Sequence, residues 1–153
     1  MAAPLIEASI DIKATPEKVW TVVSDLKRMS EWSPQCKRMI VRGTPVSVGT
    51  RTFNINRRGP LVWPTTAKVI RFEPNRELAF RVTENRTVWS YTLTPTDAGV
   101  TLTERREVKN GETTAISAAL VDKFMGGTSS FEAELQEGMN ETLGKIKRAA
   151  EAA

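Results

Sequence analysis

Near its C-terminus the chain places Phe131, Leu135, Met139, Leu143, Ile146 and Ala150 at steps of three or four residues. On an α-helix those positions make one unbroken apolar stripe. A helix from Ser130 to Ala152 is about 33 Å long at a rise of ~1.5 Å per residue. A stripe that long must lie on an apolar surface of matching length, and most of the preceding chain reads as strand. The chain must therefore wrap a sheet around, or lay it under, one long terminal helix.

The rest of the pattern fits that demand. Leu5 to Lys13 alternates Ile6, Ala8, Ile10 and Ile12 with Glu7, Ser9, Asp11 and Lys13, which is the period of a half-buried strand. Thr15 and Pro16 then suit the N-cap and first position of a helix whose apolar face is Val19, Val22, Val23 and Leu26, with Trp20 at its border. A second helical turn over Lys27 to Trp32 is stopped by Pro34. From Lys37 the spacing predicts short antiparallel strands over Arg38–Arg42, Arg51–Arg57, Leu61–Phe72, a stretch holding Leu78, Phe80 and Val82, another holding Trp89, Tyr91 and Leu93, and Val100–Val108. Turns at "RRGP", "EPNR" and "PTDAG" separate them. A helix over Thr113 to Met125 is expected next, stopped by Gly126-Gly127. "SSFE" at Ser129 to Glu132 fits a capping box.

Composition narrows the chemistry more than the fold. The 153 residues suit one domain, 1–153, and include no histidine and a single cysteine, Cys36. A Ser-His or Cys-His pair, a His-ligated metal and an internal disulfide are all excluded. No metal or cofactor is expected. The formal charge of +4 is spread over the chain, with only pairs such as Arg57-Arg58 and Arg105-Arg106 as local maxima. No aromatic-plus-basic signature accompanies them, so nucleic-acid binding is not expected. Neither a signal peptide nor an apolar run of the ~18 residues that span a membrane is visible. A cytoplasmic chain without membrane insertion, monomeric or weakly dimeric, is the expectation.

The segments "ATPEKVW", "SDLKRMSEWSP", "WSYTLTPTDAGVTLTE" and "MNETLGKIKRAAE" resemble the START/Bet v1-like (SRPBCC) superfamily, and within it the bacterial polyketide cyclase/dehydrase-type proteins. The resemblance runs from Leu5 to Glu151. It implies an α+β helix-grip fold: a curved antiparallel sheet of about seven strands around a long C-terminal helix, with two short helices after the first strand. It also implies an internal cavity for a hydrophobic small molecule. Lipid carriers, hormone receptors and aromatic-ring cyclases share that fold without a common catalytic motif.

Strand parity selects candidates for the cavity wall. Phe53, Trp63, Phe80, Trp89 and Tyr91 lie on apolar strand faces, together with Ile55, Thr65, Ala67 and Val69, while Phe131, Leu135 and Met139 project from the long helix. Indole N–H and phenol O–H groups would give such a lining two kinds of polar handle. Trp32 either plugs the helix–sheet junction or touches the ligand. In "TLTERREV", inward Val100 and Leu102 also send Glu104 and Arg106 inward. The two could then neutralise each other, with Glu104 as a base and Arg106 or Tyr91 stabilising an enolate. If the strand has reached the sheet edge by residue 104, both instead meet water. Two functions stay open: a binder of a lipid, polyketide or aromatic metabolite, or a cyclase/dehydratase-type enzyme working through shape and Glu104, Arg106 and Tyr91. The lack of histidine weighs toward the binder. Gly138 and Gly144 inside the helix signal either close approach or tolerated exposure.

Overall fold

The computed structural model describes residues 5–43, 45–108 and 128–152, with side chains from Glu132 onward in the last segment. Seven strands form one antiparallel sheet in the order β1-β7-β6-β5-β4-β3-β2. They are β1 Leu5–Ile12, β2 Cys36–Arg42, β3 Arg51–Arg58, β4 Leu61–Glu73, β5 Glu77–Val82, β6 Thr87–Thr96 and β7 Gly99–Val108. The sheet is open: β1 and β2 are its two edges. The helices are α1 Pro16–Val23, α2 Met29–Trp32 and α3 Thr128–Ala152, with a 3₁₀ turn at Leu26–Arg28 before α2. This is the helix-grip arrangement expected from the sequence. The expected helix over Thr113–Met125 and the side chains of the "SSFE" box lie outside the described residues.

Local chemistry sets the element ends. Thr15 caps α1 by accepting from the Lys18 N–H at 3.3 Å, and Pro16 occupies a position whose N–H would have no helical partner. The β4–β5 turn closes with Arg76 N–H donating to Glu73 O at 2.9 Å, and Asn75 tolerates the φ of 67° that the turn requires. At Gly99, φ is 151°, and a Cβ there would stand 2.1 Å from the Ile12 carbonyl oxygen. That is far inside contact distance, so only glycine lets β7 start this close to the end of β1.

The expected stripe on α3 is buried: Leu135, Met139, Leu143, Ile146 and Ala150 are all under a tenth exposed, with Thr142 beside them. It packs on β1, on α1 and on α2. Lys147 Nζ donates to Asp11 O, and Gln136 donates to Glu7 O, which ties the helix to the β1 edge. Because α3 sits toward β1, the inner faces of β3 to β6 are left partly uncovered. The segment from the 3₁₀ turn through α2 spans toward β2 and closes the gap from the other side. Trp32 is the plug of that junction: it is 6% exposed, with the Arg28 guanidinium 4.6 Å above its ring, and it lines none of the cavities described below. Gly138 faces Pro34 Cγ, 3.3 Å from where its Cβ would be, so close approach explains it; Gly144 meets only the end of Arg148. No described helix is long and apolar enough to cross a membrane.

Candidate functional site

The uncovered space between the sheet, α2 and α3 is a cavity of about 140 Å³. Its floor comes from alternate residues of β3 to β7, because only every second side chain points inward. Met39 of β2, Trp63, Phe80, Val82, Trp89 and Tyr91 supply apolar surface, and Met29 of α2 and Leu135 of α3 cover it from above. Met139 lines a smaller adjoining space of about 50 Å³, which shares Ser33, Gln35, Trp89, Glu104 and Leu135 with the first. Phe131 lies among the side chains that are not described.

Phe53 and Ile55 require a correction. Phe53 is 38% exposed and belongs to the outer face. The inner face of β3 is polar: Thr52 and Asn54 are buried, and Asn54 and Asn56 line the cavity. Alternation cannot reveal which face is inward when the outer residues are the more apolar. The signal that was available is cross-strand. Asn54 stands opposite Thr65, whose inward position on β4 was legible. Thr52 Oγ1 donates to Asn54 Oδ1 at 2.9 Å, and the Asn54 and Asn56 amides donate to Thr65 Oγ1 at 3.2 and 2.9 Å. This network fixes polar side chains that an apolar wall would not hold. Gln35, Asn85 and Thr87 also line the cavity, so it has a polar half, of which parity on β3 assigns Asn54 and Asn56 to the surface. Trp89 has no free handle for a ligand, because its indole N–H donates to Thr87 Oγ1 at 3.1 Å.

Glu104 and Arg106 both line the cavity, 3% and 4% exposed, so the strand has not reached water at this point. They do not neutralise each other as a pair. Arg106 Nη2 donates to Glu132 Oε2 of α3 at 2.7 Å. Glu104 Oε2 accepts from Tyr91 Oη at 3.0 Å, across the β6–β7 ladder where the two residues stand directly opposite. The other carboxyl oxygen, Oε1, is buried without a hydrogen-bond partner among the described residues. Burial pushes the Glu104 carboxyl up from 4.5 to about 8, against the smaller opposing pull of the Tyr91 hydrogen bond. Burial, reinforced by Glu104, also holds the Tyr91 phenol well above its usual value. At neutral pH the carboxyl is therefore mainly protonated, a donor as well as an acceptor. Cys36 also lines the cavity. Burial raises its thiol to about 11, which keeps it in the unreactive protonated form.

Among the described residues, no group of His, Cys, Asp and Glu side chains is arranged to hold a metal ion. What the arrangement offers is a partly enclosed space with an apolar half, one buried, protonated carboxyl and a fixed set of amide and hydroxyl groups on the opposite wall.

The fold recurs in solved structures. The polyketide-cyclase-like protein Cgl2372 of Corynebacterium glutamicum is 30% identical, with a TM-score of 0.62 over 97% of this chain and 91% of that one. TTHA0849 of Thermus thermophilus gives a TM-score of 0.73 at 17% identity, covering 97% of this chain and 98% of its own. The di-domain ARO/CYC BexL of the BE-7585A biosynthetic pathway gives 0.73 at 16% identity. This chain spans only 50% of BexL, while 97% of this chain is covered. No curated protein matches the chain. Residues 4–151 match the model of the polyketide cyclase/dehydrase and lipid transport family, and the chain belongs to that family.

Proposed function

We propose that the chain binds a hydrophobic small molecule of about one ring, carrying a carbonyl or hydroxyl oxygen that accepts a hydrogen bond from Glu104. Family membership and the ARO/CYC neighbours support a ligand-binding or cyclase role. The observation that carries the finer reading is the buried, partnerless Oε1 of Glu104 at the cavity wall. A buried polar atom left without a partner costs on the order of 1–3 kcal/mol, which a ligand oxygen would recover. Size supports a small ligand. A cavity of about 140 Å³ is close to the ~150 Å³ apolar cavity that accepts benzene in another protein.

A second reading, proton transfer next to a carbonyl in a cyclase or dehydratase reaction, is favoured by the same carboxyl. Its value near 8 is close to the pH at which a general acid or base works best. Tyr91 and Arg106 would then stabilise developing negative charge.

Calorimetric titration with acetophenone and with ethylbenzene, its counterpart lacking the carbonyl, tests the proposal. Acetophenone should bind roughly two- to tenfold more tightly, the worth of one net hydrogen bond. Equal affinities, or no binding by either, would overturn it. Native mass spectrometry of freshly purified protein, reading the mass of any retained molecule, would identify the natural ligand.

A further inference from the structure

The outer face of the sheet carries a charge pattern that the cavity does not use. Arg42 on β2 stands opposite Arg51 on β3, Arg51 opposite Lys68 on β4, and Lys68 opposite Arg81 on β5. All four are exposed. Strands lie ~4.8 Å apart, so the row extends for about 14 Å across the sheet. Like charges directly opposite each other destabilise a sheet. Among the described residues, none of these four side chains has an ion pair or hydrogen bond to relieve it. The contrast lies on the same sheet: Arg105 on β7 stands opposite Glu7 on β1 and is paired with it at 2.6 Å. Nearby Glu84 has its carboxylate on the Thr66 backbone N–H and hydroxyl.

One row away, Ile40 and Phe53 stand opposite each other, 39% and 38% exposed, and three rows away Arg57 stands opposite Val62, which is 56% exposed. Arg38, exposed and opposite Ile55, adds another cation. The face thus holds six cations.

We propose that this outer face of β2 to β5 docks on an anionic lipid bilayer, its cations on the headgroup phosphates and Ile40, Phe53 and Val62 against the interfacial layer. The exposed apolar side chains of Ile40, Phe53 and Val62 among the cations favour a bilayer, which offers phosphates and an apolar layer together. None of the four ladder residues lines either cavity described above, while Arg57, at the far end of the face, borders a surface cleft shared with Arg58 and Glu134. Fluid lipids also rearrange to meet any charge spacing. Each cation near an anionic membrane surface strengthens binding roughly fivefold, so six cations give useful affinity without insertion.

Flotation with vesicles of equal parts phosphatidylcholine and phosphatidylglycerol tests the proposal, with pure phosphatidylcholine vesicles as the control. The protein should float with the anionic vesicles only, and added salt should release it. The double variant Arg51→Gln/Lys68→Gln should bind roughly twenty- to thirtyfold more weakly. Its thermal midpoint should be unchanged or higher, because repulsion is relieved, which separates lost docking from lost folding. Arg148→Gln, on α3, should bind like the wild type. No flotation, or equal loss in the ladder and Arg148 variants, would overturn the proposal. Capture by poly-glutamate or RNA without vesicle binding would overturn it too, and would assign the face to a protein or nucleic acid.

Discussion

Tyr91 and Glu104 face each other across β6 and β7, 3.0 Å apart through Oη and Oε2, with both side chains closed off from water. One hydrogen bond from a phenol does not offset the loss of hydration of a carboxylate, so the pair stores a pH-dependent cost. That cost shapes stability and ligand chemistry alike.

Stability should fall between about pH 4.5 and pH 8 because of Glu104. The folded carboxyl keeps its proton up to about 8, whereas an unfolded one releases it near 4.5. The folded state therefore binds more protons in this window, and stability declines as pH rises. The contribution is fully present below 4.5 and fully lost above 8. At ~1.4 kcal/mol per unit it is on the order of 5 kcal/mol. Of its neighbours in the cavity, Tyr91 and Cys36 have values raised above the window, and Arg106 is paired with Glu132. Urea unfolding of wild type and Glu104→Gln across this range should show the variant gaining on the wild type as pH increases. Parallel curves would exclude the assignment.

The Arg106–Glu132 pair should matter far more than the pair on the surface of α2. Arg106 and Glu132 are 5% and 16% exposed, against 41% and 52% for Arg28 and Glu31. Removing Glu132 takes the carboxylate away from a buried guanidinium, so Glu132→Ala should cost about 3 kcal/mol. Glu31→Ala should cost no more than about 1 kcal/mol. Comparable losses in chemical denaturation would mean that Arg106 is not dependent on Glu132.

The two helix glycines should respond differently to alanine. Gly144 has only a flexible arginine end near its missing Cβ, so Gly144→Ala should stabilise by about 1 kcal/mol through helix propensity alone. Gly138→Ala gains the same propensity but presses on Pro34 Cγ, and should come out near neutral. Thermal unfolding of both variants measures the difference. A gain at Gly138 equal to that at Gly144 would show that the Pro34 contact yields freely.

Cavity parity can be checked with the same ligand titration. Phe80→Ala removes an inner wall and should weaken acetophenone binding several-fold, while Phe53→Ala, on the outer face, should leave it unchanged. Loss at Phe53 would restore the face that simple alternation selects.

The helix-grip architecture was legible because each part of it is a period: two for the strands, about 3.6 for the stripe from Leu135 to Ala150. Cavity residues on β4 to β7 were legible for the same reason, since Trp63, Phe80, Trp89 and Tyr91 share their faces with core residues. β3 was not, because its inward side chains are Thr52, Asn54 and Asn56, and polarity there is offset by hydrogen bonds that a single strand does not display. The inward orientation of Glu104 and Arg106 was readable as one of two options. Their partners were not: Tyr91 and Glu132 lie 13 residues before Glu104 and 26 after Arg106, and only the β6–β7 register and the placement of α3 bring them there.

The direction of a pH slope should separate binder from enzyme. If protonated Glu104 donates to a ligand oxygen, affinity for acetophenone should fall as pH rises through about 8 and the proton is lost. Glu104→Gln keeps the shape and retains an N–H donor, so its affinity should be near the wild type's at neutral pH and should not vary across the window. If Glu104 is a general base, activity instead depends on the ionised form, and kcat/KM should rise through about 8. The amide cannot take the proton, so Glu104→Gln should then bind normally and turn over more slowly by on the order of 10² to 10⁴. The two roles therefore predict opposite slopes from one carboxyl. We expect the falling affinity, because Oε1 lacks a partner among the described residues, whereas the neighbouring Tyr91 phenol and Cys36 thiol hold their protons well above neutral pH. A substrate that the wild type consumes with rising kcat/KM, and that Glu104→Gln binds but leaves unconverted, would reverse that assignment.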